Sequence, residues 1–194
     1  MLTPGSDSHL VIYRYAMKKF GLLAVVLLQM SIVGLARDDA PSSGWKEYVY
    51  SEDEFAITLP GDPHPHKSSQ MPNGTVYLLQ LSSGAIFSLH TMEANDKCVD
   101  AVRSQSDIYA KNKADSATST SKGFKAISFR EVTGSGYTGV EFIQQVPPAG
   151  RLDYERWVCG PHRLYVLAFA WSPDESEPRE LRRIVDSFRL VTKK

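Results

Sequence analysis

Leu164 to Trp171 carries apolar side chains at nearly every position and is closed by turn chemistry at both ends, Gly160-Pro161 before it and Ser172-Pro173 after it. The run is far too short for a membrane helix, which takes about 20 residues. A short segment that is apolar on both alternate faces is expected as a central strand, covered by other layers on its two sides. A fold for this chain therefore needs a sheet with two buried faces, and the remaining segments must supply its neighbours and its covers.

Strand patterns supply the neighbours. Trp45 to Tyr50 and Phe55 to Leu59 read as strands, the second ending at Pro60-Gly61. Asp62 to Pro72 reads as a proline-rich polar loop, and Pro72-Asn73-Gly74 turns the chain into Thr75 to Leu81. Ser82-Ser83-Gly84 turns it again into Ala85 to Met92, so this half is expected as a meander of short antiparallel strands. From Asn95 the period changes: Cys98, Ala101, Val102, Gln105, Ile108, Tyr109 and Asn112 share one helical face. A polar loop over Asp115 to Lys122 leads to three further strands, Phe124 to Val132, Tyr137 to Val146 and Leu152 to Cys159. After the central run a last helix starts near Ser176 or Glu177, with Pro178 in its first turn and Leu181, Ile184, Val185 and Phe188 as its apolar stripe. Arg189 to Val191 is expected as a short edge strand. The order of strands, helix, strands, helix predicts an α+β domain, an antiparallel sheet covered by helices as an α/β/α sandwich.

The N-terminus carries an export signal. Met17-Lys18-Lys19 is basic, Phe20 to Val33 is mostly apolar but broken by Gln29 and Ser31, and Gly34-Leu35-Ala36 places small residues before a cut after Ala36. Residues 1–36 are thus expected as a signal peptide, with an uncleaved anchor as the alternative. Residues 1–16 precede a second methionine that opens the better-formed signal, so Met17 is the expected start. Residues 37–44 form a polar linker, and 45–194 a single domain. No cysteine lies near the cut to accept a lipid, so no stable membrane anchor is expected after cleavage, and the product is periplasmic or secreted. The 22 Lys and Arg residues balance 22 Asp and Glu. Without a basic surplus, nucleic-acid binding is not expected.

Trp45 and Tyr48 lead into Phe55-Ala56-Ile57-Thr58-Leu59-Pro60-Gly61, and the closing helix ends in Asp186-Ser187-Phe188-Arg189-Leu190. This pattern resembles the PsbP-like domains and their bacterial exported relatives of unknown role, over most of residues 45–191. The shared positions are packing and turn positions. The resemblance implies the α+β fold; plant and cyanobacterial members resemble accessory subunits on the lumenal side of photosystem II, and a eukaryotic relative binds a small GTPase. No binding residue of those proteins matches a position here.

Several constellations offer chemistry, each beside a plainer reading. Gly134-Ser135-Gly136-Tyr137-Thr138-Gly139 satisfies the dinucleotide-loop spacing, but a strand rather than a helix follows, so a glycine hairpin is expected. Cys98 and Cys159 are the two cysteines, and an oxidising compartment favours a disulfide over two buried thiols. A nucleophilic thiol would need a base, and His162 is the nearest by sequence. His64 and His66 can place two imidazoles on one metal, with His90 or His162 to complete the set, against the reading of an ordinary surface loop. Glu131, Glu141, Asp153 and Glu155 lie on adjacent strands, where an acid and base pair is conceivable but alternating charges usually mark a solvated face, with Arg151 and Arg156 as cross-strand partners. Asn73-Gly74-Thr75 is a glycosylation sequon that also suits a hairpin turn. The leading expectation is an exported, non-enzymatic domain without a cofactor that docks onto another protein or an envelope assembly. A small-ligand or metal-binding periplasmic protein and a hydrolase built on the carboxylates are the alternatives.

Overall fold

The computed structural model describes residues 44–67, 74–94, 98–118, 124–134, 136–147 and 150–192. The expected signal peptide and nearly all of the linker lie outside them, as does Asn73 of the sequon. Within them run β1 (Lys46–Tyr50), β2 (Phe55–Leu59), β3 (His64–Lys67), β4 (Thr75–Gln80), β5 (Ile86–Glu93), α1 (Cys98–Thr118), β6 (Lys125–Gly134), β7 (Tyr137–Val146), β8 (Arg151–Cys159), β9 (Arg163–Trp171), α2 (Arg179–Ser187) and β10 (Arg189–Leu190).

The strands form two antiparallel sheets. A seven-stranded sheet runs β3-β4-β5-β9-β8-β7-β6, and a three-stranded one runs β1-β2-β10. The apolar run is β9, in the middle of the large sheet, where Leu164 to Phe169 are all buried. After β5, α1 carries the chain to the far edge, and the meander β6-β7-β8-β9 brings it back beside β5. The glycine motif spans the β6–β7 hairpin, as its context requires. Gly136 there has φ +83, a conformation that side chains with a Cβ rarely adopt, and a Cβ on Gly139 would lie 2.3 Å from the Trp157 carbonyl oxygen.

Alternation of side chains along β7 separates the layers. Glu141 meets Arg182 of α2, whereas the next residue, Phe142, meets Tyr109 of α1 with ring centroids 6.1 Å apart. The two helices thus lie on opposite faces of the large sheet. On the α2 face, Phe55, Ile57 and Leu59 of β2 join Tyr77, Phe87, Tyr154, Tyr165, Leu167 and Phe169 in one core with Leu181, Ile184 and Val185. The other face takes α1, whose Tyr109 also packs on Phe129 of β6 at 5.1 Å.

Two expectations are corrected. The first two strands do not extend the meander; they fold as a separate sheet that shares a face of the large sheet with α2, so the cover there is a sheet and a helix rather than helices alone. Their alternation was legible, but alternation does not name the partner strand, and β2 takes β10 from the far end of the chain, with Arg189 opposite Ala56 and Leu190 opposite Phe55. The segment read as a proline-rich loop contains β3, which pairs with β4 through His64 opposite Leu78 and His66 opposite Val76. Proline is tolerated there because β3 is an edge strand.

The small sheet is tied down by a turn and an aromatic cluster. Asp53 accepts a hydrogen bond from the Tyr77 hydroxyl at 2.5 Å and pairs with Arg163 at 3.0 Å, while Tyr165 donates to the Asp53 carbonyl at 3.0 Å. Beside it the fully buried Phe55 ring lies 4.8 Å from Tyr50, 5.4 Å from Tyr77 and 6.0 Å from both Tyr165 and Phe188. Truncating this ring leaves a cavity between the sheets. Phe55→Ala is expected to cost about 3–5 kcal/mol, read as a lower denaturant midpoint.

Candidate functional site

Strand β8 carries charges toward both faces of the sheet, and the carboxylates of β7 and β8 are buried rather than solvated: Glu141 is 4% exposed, Asp153 4% and Glu155 5%. That overturns the solvated-face reading. Each buried carboxylate has its own solution to the cost of desolvation.

Glu141 is ionised and fully partnered. Its Oε2 accepts from the Tyr154 hydroxyl at 2.5 Å and from Arg156 at 2.8 Å, and its Oε1 accepts from Arg182 at 3.1 Å and from Arg130. Burial works to raise its pKa, but hydrogen bonds from Tyr154, Arg130 and Arg156, with the Arg156 charge, outweigh it and hold the carboxyl at about 2. Arg156 sits directly opposite Glu141 in the β7–β8 register and also donates to the Val185 carbonyl at 2.6 Å, which at the end of α2 accepts the Phe188 N–H at 3.4 Å as well.

Glu155 and Asp153 point to the other face. Burial pushes Glu155 up to about 7, with the neighbouring Asp153 charge adding and the Trp157 indole N–H, 2.7 Å away, opposing. Burial also raises Asp153, against the hydrogen bonds and charge of Arg151, whose nitrogens lie 2.7 and 3.0 Å from its oxygens. Glu155 therefore takes up its proton near neutral pH rather than in acid, and at 5% exposure it is closed to a substrate carried in solution. Glu131, the fourth carboxylate, is exposed on β6, opposite Val140.

His64 and His66 are exposed and share one side of β3. His90 lies two strands away in the row that runs through His66 and Val76. It is buried, pushed down to about 4 by that burial and hence neutral, with its Nε2 3.2 Å from Ser88 Oγ. His162 is exposed at the β8–β9 turn. Among the described residues no group of three or more His, Cys, Asp and Glu side chains is placed to hold a metal ion.

Cys98 and Cys159 form a disulfide with Cα atoms 5.7 Å apart. It joins the first residue of α1 to the last of β8 and encloses β6 and β7 in the loop. Sequence reasoning found this pair and the carboxylates, but missed the turn cluster of Asp53, Tyr77, Arg163 and Tyr165. Asp53 stands in an acidic turn, Glu52-Asp53-Glu54, that reads as plain surface; only the tertiary placement of β4 and β9 gives it partners.

Two outcomes are expected. Removing the disulfide by Cys98→Ser with Cys159→Ser lowers the unfolding free energy by on the order of 4 kcal/mol in the chain-entropy model, measured by denaturant titration. The two glutamates give opposite pH slopes. Glu155 is raised from 4.5 to about 7, so the stability linked to its proton is full below pH 4.5 and is lost as pH rises through 7. Glu155→Gln should flatten that decline in a thermal-midpoint series. Glu141 is depressed from 4.5 to about 2, so its contribution is full above pH 4.5 and is lost as pH falls toward 2.

No family model and no curated protein matches the chain. Among solved structures, cyanobacterial PsbP from Synechocystis aligns at 14% identity over 81% of this chain and 98% of that one, with a TM-score of 0.53. A Pseudomonas aeruginosa protein of unknown function, described as a putative regulator, aligns at 15% identity over 66% and 83% with a TM-score of 0.37. LpqN of Mycobacterium tuberculosis, described as involved in cell envelope biogenesis, aligns at 15% identity over 78% and 81% with a TM-score of 0.31. The coverage of cyanobacterial PsbP is nearly end to end, and the domain of this chain has the PsbP-like α+β fold.

Proposed function

We propose that this chain is an exported, non-enzymatic domain that acts by docking onto another protein or an envelope assembly. The observation that carries the reading is how the charged residues are used. Glu141, Arg156 and Arg182 bind one another and the end of α2, Asp53 and Arg163 hold the small sheet, and Asp153 is held by Arg151. Of the groups from which a catalytic pair was conceivable, Glu141 joins layers, Asp153 and Glu155 are buried against partners on their own strand, and Glu131 is exposed on the surface. That suits a domain built to present a surface rather than a reactive site. A disulfide between α1 and β8 fits an oxidising compartment, and with the signal-like N-terminus it supports a periplasmic or secreted location.

Mass spectrometry of the protein recovered from the exported fraction tests the reading. The denatured chain should have lost residues 1–36 and about two further mass units for the disulfide. The native species should carry a second protein. A native species carrying a small molecule or a metal ion instead, or ester turnover abolished by Glu155→Gln, would replace docking with a ligand-binding or hydrolytic role.

A further inference from the structure

The large sheet ends differently on its two sides. At one edge β3 is four residues long and carries Pro65 and Lys67, both of which discourage pairing with another chain. At the other edge β6 is ten residues long and contains no proline. None of its side chains is fully buried, and Ile127 is 50% exposed. A register shift between Ala126 and Ser128 interrupts its start, but Ser128 to Gly134 pairs without interruption to β7, so about 24 Å of regular strand faces outward. Its outer side pairs with no other described strand.

We infer that this edge takes up an extended segment of a partner protein as an additional antiparallel strand, completing the sheet by main-chain hydrogen bonds. The inference rests on the docking reading and names its surface. A second copy of the chain fits poorly. Two identical strands pair antiparallel about a residue placed opposite itself, and the register that uses all of 128–134 centres on Glu131, setting two carboxylates face to face. Moving the centre to Arg130 sets two guanidinium groups face to face, and moving it to Val132 removes the like-charge contact but pairs only residues 130–134.

The side chains along the edge state what the partner strand should carry. Arg130 lies on the α2 side, where it pairs with Glu141, whereas Phe129 and Glu131 lie on the α1 side, where Phe129 packs on Tyr109. A basic residue opposite Glu131, an acidic one opposite Arg130, and apolar or β-branched residues opposite Phe129, Val132 and Thr133 would match. In antiparallel order the partner then reads β-branched, apolar, basic, acidic, aromatic.

Hydrogen exchange on the exported, disulfide-bonded protein tests this with a nine-residue synthetic peptide centred on threonine, valine, lysine, glutamate and phenylalanine. The control peptide exchanges its lysine and glutamate. The first peptide should slow exchange across 128–134 by about tenfold at a concentration of about ten times its Kd, and the control should not. Glu131→Lys alters an exposed side chain, so the fold survives, and it should abolish the preference between the peptides, because each then sets one opposite and one like charge against residues 130 and 131. Exchange unchanged by either peptide, or slowed equally by both, overturns the proposal. Protection that rises with protein concentration alone, with a dimer mass, assigns the edge to a second copy and also overturns it. A partner protein seen in the native mass measurement while β6 exchange stays unchanged keeps the docking reading and removes this surface from it.

Discussion

A carboxylate buried in a sheet face stays charged only if donors surround it, and Glu141 is where this chain meets that condition. Its partners come from two strands and a helix: Arg130 on β6, Tyr154 and Arg156 on β8, and Arg182 on α2. A slip of one residue between β7 and β8 would turn Glu141 or Arg156 to the wrong face and leave a charge buried without its counterpart. The pair therefore fixes the register of the central meander. Because Arg156 also reaches the Val185 carbonyl, the same register places the C-terminus of α2, and with it Phe188 and β10. The small sheet depends in turn on β10, since β2 has β1 on one side and β10 on the other.

The elements with strong local periodicity were legible in the sequence. The run of β9 stands where the sequence places it, and Leu181, Ile184 and Val185 form the buried stripe of α2, but the helix starts at Arg179 rather than near Ser176 and Phe188 lies just beyond it in extended backbone. The second sheet was not legible, because β1 and β2 alternate in the same way whether they lengthen a meander or stack upon one. What decides between these is the ring of Phe55 among Tyr77, Tyr165 and Phe188, residues far apart in sequence. The charges of β8 were misread for a related reason. An Asp, a Glu and an Arg at 153, 155 and 156 look solvated until the layers on both faces are known.

The carboxylates show how position alone divides one residue type into two roles. Glu141 and Glu155 are both nearly inaccessible, on neighbouring strands, yet one is held ionised and the other is driven toward its neutral form. The difference lies in the faces they occupy. Glu141 looks toward arginines from β6, β8 and α2, whereas Glu155 looks toward an indole N–H and a second carboxylate. Ionised Glu141 binds layers together; Glu155, raised to about 7, lessens the cost of an unpaired charge by taking up a proton. Neither arrangement turns a reactive group toward solvent.

That division bears on where such a domain can act. Glu141 with its arginines and Asp53 with Tyr77 and Arg163 tie the layers together, and the disulfide holds the first turn of α1 against β8. On the docking reading, specificity comes from the periphery, where the outer side of β6 pairs with no other described strand. Edge strands are usually shortened or blocked when a protein has no use for them. The contrast between a short, proline-bearing β3 and a long, proline-free β6 within one sheet argues that the two edges answer to different constraints, one closed against association and the other kept for it.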